Sequence, residues 1–128
     1  MYKITFYWNE RGDEPVREFL NELTPKTREK IQVRLGLLKT YGPELKRPYA
    51  DKVKDKLYEL RIRFGSDQTR ILYFFMIGKR IVLVHGFRKK SSAIEFSDMN
   101  TAERRMNDFM ARVSDGKIKL TEGNDEGA

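Results

Sequence analysis

Near the start of the chain Ile4, Phe6 and Trp8 alternate with Lys3, Thr5 and Tyr7, a two-residue period that predicts a strand with one buried face. The polar run Asn9 to Gly12 turns the chain, and Asp13 with Pro15 supplies a cap and a first-turn proline for a helix. Val16, Phe19, Leu20 and Leu23 then recur at helical spacing, and Thr24-Pro25 repeats the cap-and-proline signal. A second helix follows, with Ile31, Leu35 and Leu38 as its apolar stripe and Gly42-Pro43 as its stop. With almost no linker between them, the two helices are expected to form a helical hairpin.

Residues 43 to 56 read as basic and irregular, with Lys46, Arg47, Lys52, Lys54 and Lys56 set around Pro48 and Tyr49. Three strands are predicted next: Leu57 to Phe64, Arg70 to Ile77 and Arg80 to Phe87. The turn Gly65-Ser66-Asp67-Gln68 joins the first two, and the tight turn Gly78-Lys79 joins the last two. The last two strands are apolar on both parities, through Ile71-Leu72-Tyr73-Phe74-Phe75 and Ile81-Val82-Leu83-Val84, as central strands covered on both faces would be. A polar loop from Arg88 to Ser97 leads to a final helix, capped by Ser97 or Asp98. Met99, Ala102, Met106, Phe109, Met110 and Val113 mark its buried face. Beyond it the apolar pattern fades, and Thr121 to Ala128 reads as disordered. The expected fold is α+β: an N-terminal strand and helical hairpin, a three-stranded antiparallel meander and a C-terminal helix packed on one sheet. A single domain is expected over 1–113, with a flexible tail over 114–128.

Composition narrows the function. A chain of 128 residues suits one domain with its own core. Cysteine is absent, which excludes disulfides and thiolate metal sites. No apolar run approaches the roughly 20 residues of a membrane helix. Met1-Tyr2-Lys3-Ile4 lacks the apolar stretch of a signal peptide, so a cytoplasmic protein without a membrane role is expected. The formal net charge of +7 favours polyanionic partners and speeds encounter with them. The competing reading is a well-solvated surface, because 35% of the residues are charged.

The most informative stretch is Leu57 to Phe64. Tyr58, Leu60, Ile62 and Phe64 share one face of the predicted strand, and Glu59, Arg61 and Arg63 share the other. Arg70 opens the neighbouring strand, while Arg88, Lys89 and Lys90 end the third. If these groups converge, they make a basic concave surface with one acid inside it. Arginine suits phosphate because its planar fork stays charged and gives two parallel hydrogen bonds. When a 2′-hydroxyl attacks the adjacent phosphorus, charge grows on the phosphoryl oxygens, and preorganised cations stabilise that state above the ground state. No carboxylate cluster suggests a metal, and no cofactor is expected. The competing reading is a solvated strand face on which Glu59 merely pairs with Arg61 or Arg63. The lysines among residues 46 to 56 either contact RNA as point charges or confer solubility. His85, the only histidine, shares parity with Ile81, Leu83 and Phe87; it is either an acid–base group or a hydrogen-bonded core residue. Tyr49 and Phe96, in predicted loops, are the candidate base-stacking aromatics. A serine–histidine–acid triad through Ser91 or Ser92 has no support in the spacing.

Leu57-Tyr58-Glu59-Leu60-Arg61, then Arg70-Ile71-Leu72-Tyr73-Phe74, then Val82-Leu83-Val84-His85-Gly86-Phe87-Arg88-Lys89-Lys90 resemble, in that order, the RelE/ParE toxin superfamily, and within it the HigB-like, phage-related branch. Ala102-Glu103-Arg104-Arg105 matches the helix that follows in that branch, and the resemblance spans about residues 2 to 113. It implies a toxin of a type II toxin–antitoxin pair. RelE and HigB relatives enter the ribosomal A site and cleave messenger RNA there without metal. Carried over, Arg61, Arg63, Arg70 and Arg88 are implied to bind phosphate and stabilise the transition state, with Lys89 and Lys90 orienting the backbone. Lys46, Arg47, Lys52, Lys54 and Lys56 would add RNA contacts. The sequence departs from the RelE pattern in having no tyrosine from Ser91 to Phe96, so the general base stays open between Glu59 and His85. It also carries Ser91-Ser92-Ala93-Ile94 where phage-related members often place threonine and proline after the double lysine.

The resemblance thus implies a ribosome-dependent, metal-independent mRNA endonuclease, with the ribosome, its message and a helix-turn-helix antitoxin of the HigA kind as partners. The alternatives are a non-catalytic nucleic-acid-binding regulator or phage accessory protein, and a ParE-like gyrase inhibitor, because fold alone does not set the target.

Overall fold

The structure is a computed structural model that describes residues 1–90 and 93–120. The alternating N-terminus forms β1 (Lys3–Phe6). The two proline-led helices are α1 (Pro15–Asn21) and α2 (Pro25–Tyr41), the latter closed by a 3-10 turn over Gly42–Glu44. Then come β2 (Ala50–Lys54), β3 (Leu57–Phe64), β4 (Asp67–Met76), β5 (Arg80–Arg88) and α3 (Phe96–Ser114). Thr24 caps α2 as predicted, its Oγ1 accepting the Thr27 N–H at 3.3 Å. Glu14, not Asp13, precedes α1, because the Asp13 carboxylate is occupied by Asn9 and Arg11 in the preceding turn. α3 begins earlier than expected, at Phe96, and Asp98 in its first turn accepts from His85 instead of capping.

The strands form one five-stranded mixed sheet in the order β1-β5-β4-β3-β2, with β1 parallel to β5 and every other pair antiparallel. The expected three-stranded meander is corrected to four strands. The basic segment read as irregular supplies β2, which pairs Ala50 with Leu60 and Asp51 with Glu59. Its exposed Lys52 and Lys54 explain why alternation does not announce it: lysine-rich sequence is how exposed edge strands resist further pairing.

Two apolar layers cover the sheet. On one face Ile4, Phe6, Leu60, Ile62, Ile71, Tyr73, Ile81 and Leu83 pack with Val16, Leu20, Ile31, Leu35 and Leu38 of the helical hairpin. On the other, Leu72, Phe74, Val82 and Val84 pack with Ala102, Met106 and Phe109 of α3. The both-parity apolarity of β4 and β5 is therefore met by helices on both faces. The apolar core also runs past Ser114, since Ile118 is buried in the α3 layer. The expectation of disorder over 121–128 lies outside the described residues.

A bulge in β5 alters one sequence expectation. Tyr73 pairs with Leu83 but Leu72 pairs with His85, so Val84 is the extra residue and the side-chain parity flips there. His85 and Phe87 consequently face α3 with Val82 and Val84, not the hairpin with Ile81 and Leu83. Gly86 then faces α1, where an added Cβ would lie 2.5 Å from the Phe19 ring.

Candidate functional site

The sheet face that α3 covers at Leu72 and Phe74 continues beyond the helix into charged residues. The register pairs Glu59 with Leu72, Arg61 with Arg70 and Arg63 with Gln68, so alternation brings all of these side chains to that face. At its centre lies Arg70, 2% exposed. Its Nε donates to Glu59 Oε1 at 3.0 Å, Nη2 to Gln68 Oε1 at 3.1 Å and Nη1 to the Thr69 carbonyl at 3.3 Å. Glu59, also buried, reaches Arg61 with its other oxygen at 4.0 Å. Burial pulls the Arg70 pKa down, with Arg61 and Arg63 adding to the pull and Glu59 opposing it. Glu59 thus binds the deepest guanidinium, Arg70, and reaches toward Arg61.

Lys89, the residue after β5, extends the cluster, its N–H donating to the Gln68 carbonyl at 2.8 Å. Burial first, then the Arg70 charge, lowers its pKa; Arg61 and Arg47 add to the fall and Glu59 resists it. Arg47 comes from the loop before β2, where Asp51 holds its guanidinium at 2.8–2.9 Å. β2 covers β3 from Leu57 to Leu60 and the Tyr49 carbonyl takes the Arg61 N–H, which leaves the edge of β3 open from Ile62 onward. A cleft of about 590 Å³ wraps that edge. Arg61, Arg63 and Arg70 line it from β3 and β4, and Lys30 and Arg34 line it from α2; none of its lining residues is acidic.

Not every predicted residue joins this cluster. Arg88 pairs with Thr69, one step out of phase with Arg70, and its exposed side chain belongs to the opposite face. His85 is held under α3. Its Nε2 lies 2.8 Å from Asp98 Oδ1, Arg105 Nη1 approaches Nδ1 at 3.3 Å and the Val84 carbonyl at 2.9 Å, and its ring stacks on Phe87 at 5.4 Å. A cationic donor at Nδ1 makes that nitrogen the acceptor and leaves the proton on Nε2, directed at Asp98. Burial lowers the His85 pKa; the Asp98 hydrogen bond opposes this and Arg105 adds to it. Lys52 lies 6.0 Å over the Tyr58 ring, Lys54 pairs with Glu103 of α3 at 3.2 Å, and Lys46, Lys56 and Lys90 are exposed outside the cleft lining. Phe96 is 84% exposed, and Tyr49 is half-buried beneath the Arg34 guanidinium at 4.8 Å. Ser91 and Ser92 lie outside the described residues.

Sequence reasoning missed Lys30, Arg34 and Gln68. A signal for the first two was present. Lys26, Lys30 and Arg34 recur every four residues, one step before the buried Thr27, Ile31 and Leu35, so they flank the apolar stripe of α2. Gln68 sits in a predicted turn, and only the pairing of β3 with β4 shows it beside Arg70. Among the described residues, no three His, Cys, Asp or Glu side chains gather as a metal site would need. No described helix is long and apolar enough to cross a membrane.

No curated protein sequence matches the chain. The profile of the family described as phage derived protein Gp49-like (DUF891) matches residues 18–107, which include the end of α1, all of α2, the meander and α3 as far as Asn107. With well over half of the chain matched, the protein belongs to the phage-derived Gp49-like family (DUF891), within the RelE/ParE-like toxin superfamily.

Proposed function

We propose that this protein is the toxin of a type II toxin–antitoxin pair of the HigB kind, and that it cleaves messenger RNA on the ribosome without a metal ion. The observation that carries the reading is the convergence of Arg61, Arg63, Arg70 and Lys89 around one buried acid on a sheet face that α3 leaves bare. In the reaction, the 2′-oxygen forms a bond to the adjacent phosphorus as the bond from phosphorus to the 5′-oxygen breaks. The 2′-hydroxyl loses a proton and the 5′-oxygen gains one, giving a cyclic phosphate and a free 5′-hydroxyl. Arg61 and Arg63, less engaged than Arg70, stabilise the charge that grows on the phosphoryl oxygens. Glu59 aims Arg70 and is a positioning residue, because its carboxylate is already committed to guanidinium groups. Lys89, with its lowered pKa beside those groups, is the proton-transfer group that fits best. His85, neutral and clamped to α3, is the weaker candidate. A helix-turn-helix antitoxin would hold the toxin inactive, and the ribosome and its message would be its targets.

The test is to induce the chain alone in cells and map the 5′ ends of ribosome-bound message. Growth arrest with cuts at codon boundaries is expected, and Arg61→Ala should slow cleavage by about 100-fold, the usual cost of losing one oxyanion-stabilising donor. Arrest with intact message and a DNA-damage response would give the protein to gyrase-directed action instead. Normal growth with tight nucleic-acid binding would make it a binding module.

A further inference from the structure

The cleft at the open edge of β3 does more than extend the cation cluster. Its second wall comes from α2, an element on the opposite face of the sheet, and the residues there play no part in the cleavage chemistry above. Arg34 stands out. Its Nε is buried and finds no hydrogen-bond partner among the described residues, although buried guanidinium donors are costly to leave unpaired. Its guanidinium lies over the Tyr49 ring, an arrangement that orients the fork and leaves its N–H edges for an acceptor. Lys30, one helical turn earlier, lines the same cleft. The main chain contributes as well. The Arg61 N–H points outward to the Tyr49 carbonyl at 2.8 Å, so the N–H of Arg63, two residues along the strand, points toward the same edge where β2 has ended.

We propose that Lys30 and Arg34 form a second phosphate subsite, which holds the backbone of a single-stranded polynucleotide next to the phosphate engaged by Arg61 and Arg63. The inference rests on the reading that the protein binds RNA, and it names a site which that reading leaves out. Three features select this ligand. Five cationic residues and no acidic one line the cleft, which calls for a polyanion. Arg61, Arg63 and Arg70 belong both to the sheet face and to the cleft, so successive phosphates of one strand run from one to the other. At about 590 Å³ the cleft has the size of a small-ligand pocket, room for a nucleotide unit of one strand. The two aromatic rings beside it are each faced by a cation of the subsite, Tyr49 by Arg34 at 4.8 Å and Phe64 by Lys30 at 5.8 Å, so the subsite reads backbone and not base.

The experiment is anisotropy titration of a labelled, uncleavable 2′-O-methyl single-stranded RNA against the full chain over a range of salt. A contact to one phosphate of a single strand contributes about 0.7 to the slope of log K against log salt, so Lys30→Gln/Arg34→Gln should lower the slope by roughly 1.4. Lys30→Gln alone, at a position away from the Tyr49 contact, should lower it by about 0.7 and guards against misfolding of the double variant. Arg34→Lys should restore part of the loss, and changing the base sequence should leave the slope unaltered. An unchanged slope in both glutamine variants, while Arg61→Ala lowers it, overturns the subsite and leaves the cleavage reading intact. Unchanged RNA binding with weakened capture of an acidic antitoxin segment also overturns it, and assigns the cleft to protein. Cleavage of ribosome-bound message by the wild-type chain, measured on the same preparation, reports separately on the cleavage reading.

Discussion

The Glu59–Arg70 pair shows how one residue serves both fold and chemistry. Arg70 is buried, and Glu59, Gln68 and the Thr69 carbonyl take up its donors, so its charge is exchanged for neighbours inside the protein before any phosphate arrives. Removing one member of such a pair strands the other charge, a loss of about 3–5 kcal/mol. Arg70→Ala is therefore expected to lower the urea midpoint sharply and to abolish activity through unfolding as much as through lost chemistry. Arg61 is different. It stands 4.0 Å from Glu59 with its side chain 27% exposed, so Arg61→Ala should cost under about 1 kcal/mol while still removing a charge from the site. Urea melts of the two variants, set beside their cleavage rates, check the contrast. A stable, inactive Arg70→Ala protein would contradict it. The sequence shows Arg61 and Arg63 on one strand face, because alternation is local. It does not show which arginine is buried, because the partners of Arg70 come from the neighbouring strand and from Gln68, which the sequence places in a turn and the structure places in β4.

At the scale of elements, strands and helices with strong apolar periods were legible, and the misses share one cause. β2 carries almost no apolar signal because it is an edge, and the bulge at Val84 has no local signature at all. That bulge moves His85 from the hairpin face to the α3 face, where it joins β5 to α3 through Asp98 and Arg105. The join has a pH dependence with a definite sign. Burial lowers the folded-state pKa of His85 below its ordinary value of 6.5, so the unfolded chain binds the proton more readily. The stabilising contribution is complete above the unfolded pKa and is lost as pH falls through the folded one. Protonation also places a proton on Nδ1, against Arg105. The urea midpoint is expected to decline as pH drops from near neutral toward 5, and His85→Asn should flatten that decline. A variant with the wild-type slope would remove His85 as its source.

For the molecule as a whole, the net charge of +7 matters less than where its charges stand. α3 has an apolar face for part of one sheet surface and does not cover the charged rows of β3 and β4, so the same layer that completes the core leaves Arg61 and Arg63 accessible above the buried Arg70. Charge and alternation made a basic face legible in the sequence. Its second wall was not, because it needs α2 to cross the edge of β3. Location can be separated from net charge by kinetics. At physiological salt the screening length is about 8 Å, so only cations lining the cleft act strongly on a phosphate entering it. Arg63→Glu, at an exposed cleft position, and Lys56→Glu, at an exposed position in the turn before β3, change net charge equally. Stopped-flow association with single-stranded RNA should slow by about tenfold or more for Arg63→Glu at roughly 50 mM salt, with the difference shrinking near 200 mM. Lys56→Glu should slow it far less. Equal losses from both would mean that the protein is steered by its overall charge, and the cleft would lose its claim to be the point of entry.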